Sequence, residues 1–203
     1  SVGFNALDSS DDPVTVTAGH CSVSGTDWYH NGSPIGEMTT WDFGNGSDYD
    51  AGYIELDNGV NIDVDVRGII LTIGTFDVNG SRHEVGDSVA IAGKNGNYFG
   101  LDVLDDSYSF AGAETDLVKI EPSGSDFGDS GGLVYSGIIS PYNGDNYVCI
   151  EGVLSGGEYE DLDNDGELDP GEPKLWDLFS KLSNIYDGLN LGGIYVDSSY
   201  DDP

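Results

Sequence analysis

The sequence predicts an all-β protein: two β halves in one unit, closed by a single C-terminal helix. Three observations predict it. Short runs of β-type residues recur along the chain. Turn chemistry punctuates them about every 8–12 residues, with 31 Gly and Asn-Gly pairs at Asn31, Asn45, Asn58, Asn79, Asn95 and Asn143. Only one segment carries a helical period. No repeat or linker interrupts the 203 residues, which suits one compact unit.

The elements follow in order. The β-type runs are residues 13–17, 53–56, 68–73, 88–92, 117–120 and 147–154, each rich in Val, Ile, Leu, Thr or Tyr. Short strands with hairpin punctuation indicate a sandwich or a barrel. The helix is expected over 175–187. Leu175, Leu178, Phe179, Leu182 and Ile185 recur at helical spacing there, and Gly188 stops the run.

Composition bounds the function. Hydrophobic residues make up 37%, with 12 Tyr, 7 Phe and 3 Trp, enough to bury a core. Against 38 Asp and Glu stand 6 Lys and Arg, a formal net charge of −32. That balance excludes nucleic acid and anionic membranes as partners, because both need a basic face. No apolar run approaches the roughly 18 residues of a membrane span. The acids are spread along the whole chain, so self-repulsion opposes compaction at low salt. Screening at molar salt removes that penalty, and the chain reads as a protein of a salt-rich medium. It opens on Ser1 without a signal-peptide pattern and reads as a mature or excised chain.

Three segments carry chemistry: residues 17–21 (TAGHC), 48–56 (DYDAGYIEL) and 128–132 (GDSGG). Acyl transfer by serine needs a hydroxyl, an imidazole to take its proton and a buried carboxylate to hold the imidazole tautomer. It also needs backbone N–H groups at the developing oxyanion. Glycines flanking Ser130 let the backbone turn tightly and aim N–H groups into a site. His, Asp and Ser occur in that order, each beside an apolar run. The carboxylate is Asp48 or Asp50.

These segments resemble the chymotrypsin family, and within it the bacterial secreted branch of α-lytic protease and the streptogrisins. Ser1 to Phe4, residues 85–89 with Gly93, Gly96 and Gly100, residues 152–157 and residues 178–182 extend the likeness to about Leu191. The resemblance implies two six-stranded antiparallel Greek-key β-barrels, about 1–84 and 85–174, followed by the helix. It implies that His20 is general base and then acid, and that Ser130 is the nucleophile. Gly128 and Ser130 supply the oxyanion N–H groups. The family pattern of Asp, two residues and two apolar residues fits Asp50 and not Asp48. Ser155, Gly156 and Gly157 are expected to pair with the substrate backbone, and Gly124 and Phe127 to line the specificity pocket with Ser125 and Asp126. Gly124 at the pocket base is not the Asp of a trypsin-like site. Leu154 stands where glutamate-specific relatives carry His, so apolar residues before the cut are expected. The implied function is a secreted, monomeric endopeptidase acting on polypeptides, made with a prosegment. The alternative is an inactive, calcium-stabilised binding module of the same fold.

The chain departs from the pattern in places. It has two cysteines, Cys21 and Cys149. The family partner of Cys21 would precede Ser1; a Cys21–Cys149 bridge or two thiols are the other options. The buried Arg that pairs with the equivalent of Asp129 is replaced by Ile91, leaving Lys94, Arg82 or the N-terminus of a longer form as partners. An inserted acidic loop, 158–172, matches a calcium-loop pattern. Asp161, Asp163, Asp165, Asp169 and Glu172 would ligate by side chains and Glu167 by its carbonyl, with Gly166 at the turn. Catalysis itself calls for no cofactor. Three Asn-Gly-Ser triplets, at Asn31, Asn45 and Asn79, match glycosylation acceptors but read more simply as hairpin turns.

Overall fold

The computed structural model describes residues 1–24, 26–64, 66, 72–76, 84–110, 114–139, 147–163 and 172–196. The first sheet is built from β1 (Phe4–Leu7), β2 (Pro13–Thr17), β3 (Asp27–His30), β4 (Ser33–Asp42) and β5 (Ala51–Leu56). Their order is β1-β2-β5-β4-β3, all antiparallel, and β13 (Gly193–Ile194) adds a sixth strand beside β1. The second sheet contains β6 (Thr72–Phe76), β7 (Ser88–Ala92), β8 (Asn97–Tyr108), β9 (Leu117–Ile120), β10 (Leu133–Ile139), β11 (Tyr147–Tyr159) and β12 (Lys174–Lys181). Strands β10-β7-β8-β9-β12-β11 run in that order, and β11 pairs back to β10, closing a six-stranded antiparallel barrel. β6 lies parallel to β11 as an added strand.

Period-2 alternation explains how the two halves share a core. Val89, Ile91, Val134, Leu154 and Phe179 fill the second barrel, while Ala90, Ala92, Leu133, Tyr135 and Val153 face the other way. There they meet Phe4, Val14, Val16 and Ala51 of the first sheet. Strand β7 and residues 133–135 of β10 are therefore buried on both faces, between the two halves.

The C-terminal segment corrects the expected helix. Residues 174–181 are strand β12, and the helix α1 spans only Leu182–Gly188. Both edges of β12 find sheet partners, β11 on one side and β9 on the other. Two ladders satisfy more backbone groups in a buried segment than helix period alone can favour. Leu182 and Ile185 then plug the shared core. Gly188 lies where any Cβ would enter the Tyr49 ring, so packing favours glycine there, while the helix ends on Leu189 as its C-cap.

Two of the three Asn-Gly-Ser triplets fall on described residues. Asn31 and Gly32, and Asn45 and Gly46, all have positive φ, the signature of tight turns, and the first joins β3 to β4. Asn79 lies outside the described residues.

Candidate active site

His20 sits on a 3-10 turn, Gly19–Ser24, immediately after β2. Gly19 has no room for a side chain: a Cβ there would meet the carbonyls of Asp42 and Ala51. That close approach brings the turn against the start of β5, where Asp50 stands. Asp50 is 2% exposed. One of its carboxylate oxygens accepts the His20 backbone N–H at 2.9 Å, and the other accepts Nδ1–H at 2.6 Å. This fixes the proton on Nδ1 and leaves Nε2 as the outward nitrogen. The hydrogen bond from Asp50 raises the His20 pKa well above its ordinary 6.5; the Cys21 side chain adds to this, and burial works against it. Asp48 is exposed and accepts a hydrogen bond from Thr115, and of the two aspartates Asp50 is the one bonded to His20.

Sequence reading missed the support of Asp50. Ser180 on β12 accepts the Asp50 backbone N–H at 2.8 Å, and its hydroxyl lies 3.3 Å from the Asp50 carbonyl. Ser155 on β11 shares a hydrogen bond with Ser180 at 2.7 Å. The second barrel thus clamps the carboxylate-bearing residue of the first. Ser180 gave no signal because it falls within the stretch that reads as helix.

The turn 128–132 lies against the histidine turn. A Cβ on Gly131 would strike Thr17 Oγ1, the Ala18 N–H and the Ser1 carbonyl, which places Ser130 beside the segment leading to His20. Gly128 and Gly131 have φ of 95° and 79°, conformations that favour glycine. Among the described residues neither the Gly128 nor the Ser130 N–H has an acceptor, while both carbonyls accept from the Ser1 α-amino group. Ser130 Oγ makes no hydrogen bond to His20 here, a looseness common in such sites without substrate.

Asp129 is fully buried and its partners are dipoles, not a cation. It accepts from the Asn95 N–H at 2.7 Å, the Asp126 N–H at 3.0 Å and the Tyr98 hydroxyl at 3.2 Å. Burial works to raise its pKa, but these hydrogen bonds outweigh it and hold the carboxyl below the usual range. Lys94 instead extends over Gly128. Cys21 and Cys149 are both thiols, so no bridge joins them.

On the far side, Ser155 to Gly157 pair with β12 along one edge only. Pairing with β10 stops at Val153, and the turn takes over Leu154. The other edge of 155–157 is open among the described residues. Gly124 and Phe127 sit in the segment before Ser130, and Phe127 is 81% exposed beside the cleft.

Of the six expected calcium ligands, Asp161, Asp163 and Glu172 converge, with carboxylate oxygens within 4.8 Å of one another. Glu172 also accepts the Leu162 N–H. Hard oxygen donors at the two ends of the loop fit a divalent cation of calcium type. Asp165, Glu167 and Asp169 lie outside the described residues.

The chain matches no protein-family model and no curated protein. Solved structures do match. A glutamic acid specific serine protease that utilizes a novel histidine triad in substrate binding superposes with TM-score 0.69 and 19% identity, over 96% of this chain and 92% of that one. The fold is that of the chymotrypsin-like bacterial serine proteases. Protease A of Thermobifida fusca gives TM-score 0.64 at 19% identity, over 96% and 90% of the two chains. A chymotrypsin of Cellulomonas bogoriensis gives 0.61 at 18%, over 97% and 90%. At these identities the likeness establishes the chymotrypsin-like fold; what the chain does must rest on its own residues.

Proposed function

We propose that this chain is a serine endopeptidase, cleaving polypeptides through a His20–Asp50–Ser130 triad and an acyl-enzyme. The observation that carries the reading is His20 bonded at 2.6 Å to the buried Asp50, beside the Gly-flanked Ser130 turn. In this reading His20 Nε2 takes the Ser130 hydroxyl proton as Oγ attacks the scissile carbonyl. Asp50 holds the imidazole tautomer and stabilises the imidazolium. The Gly128 and Ser130 N–H groups receive the oxyanion. His20 then returns the proton to the leaving amine, and water repeats the cycle to release the acyl group. The open edge at Ser155, Gly156 and Gly157 takes the substrate backbone as an added strand. The enzyme works as a monomer outside the cell, in a salt-rich medium, after release from a prosegment. No helix among the described residues is long and apolar enough to cross a membrane.

The second reading is an inactive binding module of the same fold, in which Ser130 is not activated. Fluorophosphonate labelling in about 3 M salt, where charge repulsion is screened, separates the two. Labelling of the wild type that is lost in Ser130→Ala supports the enzyme. A folded wild type that stays unlabelled supports the module.

Calcium is proposed as a structural ion, held by Asp161, Asp163, Glu172 and the intervening Asp165, Glu167 and Asp169. Bound there, it would neutralise acids and tie both ends of the insert beside the start of β12. Removing calcium with a chelator is expected to lower the melting temperature by several degrees, and adding it back to restore it. Identical melting curves with and without chelator would refute the site.

A further inference from the structure

A buried ion pair links β12 to the segment that precedes Ser130. Asp177 on β12 is fully buried and stands opposite Gly157 in the β11–β12 register. One of its oxygens accepts the Ser123 N–H at 2.6 Å; the other accepts the Ser125 hydroxyl at 2.9 Å and Lys174 Nζ at 2.8 Å. The Lys174 ammonium also donates to the Ser125 carbonyl at 2.6 Å and the Ser125 hydroxyl at 2.7 Å. Its three protons are therefore all engaged. The side chains of Lys174 and Asp177 are only 11% and 1% exposed. Gly157 makes the arrangement possible: a Cβ there would lie 3.1 Å from Asp177 Oδ1 and 3.2 Å from Lys174 Cε.

The location follows from the serine-protease reading, on which this inference rests. A substrate strand laid on the open edge of 155–157, with its carbonyl at Ser130, directs the side chain before the scissile bond between β11 and segment 123–130. Asp177, Lys174 and Ser125 tie β12 to segment 123–125 opposite Gly157, and on this reading they close the inner end of that space. An isolated Asp177 would make the floor anionic and attract a substrate Lys or Arg. Lys174 sits on Asp177 instead, its ammonium in the position a basic substrate side chain would need.

We propose that the Lys174–Asp177 pair is the specificity-determining floor of the pocket, an internal ion pair that neutralises it. The protease therefore cleaves after uncharged side chains. Entry of a charged side chain would require breaking a buried, fully hydrogen-bonded pair or burying a charge without a partner. An uncharged side chain requires neither.

The test compares wild type, Lys174→Met and the double variant Lys174→Met/Asp177→Asn. The substrates are fluorogenic peptides differing only before the scissile bond: Ala, Leu, Phe, Lys, Arg and Glu. Rates are normalised to the fraction labelled by fluorophosphonate, so each rate refers to competent Ser130. The wild type is expected to favour the best uncharged peptide at least 100-fold over Lys, Arg and Glu in kcat/KM. Lys174→Met is expected to gain at least 10-fold for Lys and Arg relative to Leu and to become sensitive to benzamidine; the double variant is expected to lose both gains. A wild type that cleaves after Lys, Arg or Glu as well as after its best uncharged residue overturns the proposal, even if Lys174→Met fails to fold. So does a labelled Lys174→Met without the gain. A folded wild type that never labels overturns the protease reading, and the pocket assignment falls with it.

Discussion

Asp50 carries two loads at the residue scale: it orients His20 and it raises the imidazole pKa. The sign matters for both activity and stability. A raised folded pKa stabilises the imidazolium, so this contribution to stability is complete below about 6.5 and fades as pH climbs through the folded value. In the proposed mechanism His20 can act as general base only on the alkaline side of that value. The acid limb of kcat/KM is thus expected above pH 6.5. Asp50→Asn should move that limb down towards the ordinary histidine value and cut kcat on the order of 10⁴-fold, read from a pH–rate profile. Ser180 acts one step behind. In Ser180→Ala the buried Asp50 N–H and the Ser155 hydroxyl lose their partner. A cost of about 1–3 kcal/mol in urea unfolding is expected. His20, Ser130 and Asp50 were legible in the chain because their glycine and apolar neighbours announce the turns that hold them. Ser180, Asp177 and Lys174 were not, because their roles exist only across strand pairs.

At the scale of elements, β12 is the joint of the molecule. Phe179 fills the second barrel, Asp177 reaches towards segment 123–125, and Ser180 reaches Asp50. Lys119 lies over the Trp176 ring at 3.4 Å, so the outer face is covered as well. Phe179→Ala should cost about 3–5 kcal/mol in chemical denaturation, because a closed barrel cannot collapse onto the cavity. A cost under 1 kcal/mol would mean that the barrel repacks freely. The runs 13–17, 88–92 and 117–120 agree with β2, β7 and β9. β8 is absent from the β-type runs because Asp102, Asp105 and Asp106 break its apolar pattern, although the strand is held by β7 and β9. The helical reading of 175–181 failed for the complementary reason: its apolar spacing suits either structure, and the neighbouring strands decide.

For the whole molecule the dominant quantity is the net charge of −32. The described lysines do little to dilute it at the surface. Lys174 pairs with Asp177, Lys181 with Asp116, Lys119 covers Trp176, and Lys94 lies over Gly128. Each serves a local contact, and the surface is left acidic. Raising NaCl from about 0.1 to 1 M shortens the Debye length from about 10 to 3 Å and should raise the thermal midpoint by several degrees. A midpoint independent of salt would refute self-repulsion as the controlling term. The β class, the turns, the acidity and the three segments of the candidate triad can be read along the chain, because period, glycine and charge act locally. Contacts between residues distant in sequence buried Asp50 against His20, turned the expected helix into β12, gave Asp129 its dipolar partners and set Lys174 on Asp177. Those outcomes depend on which strands lie side by side, and a buried polar group takes the partner that the neighbouring strand or turn presents.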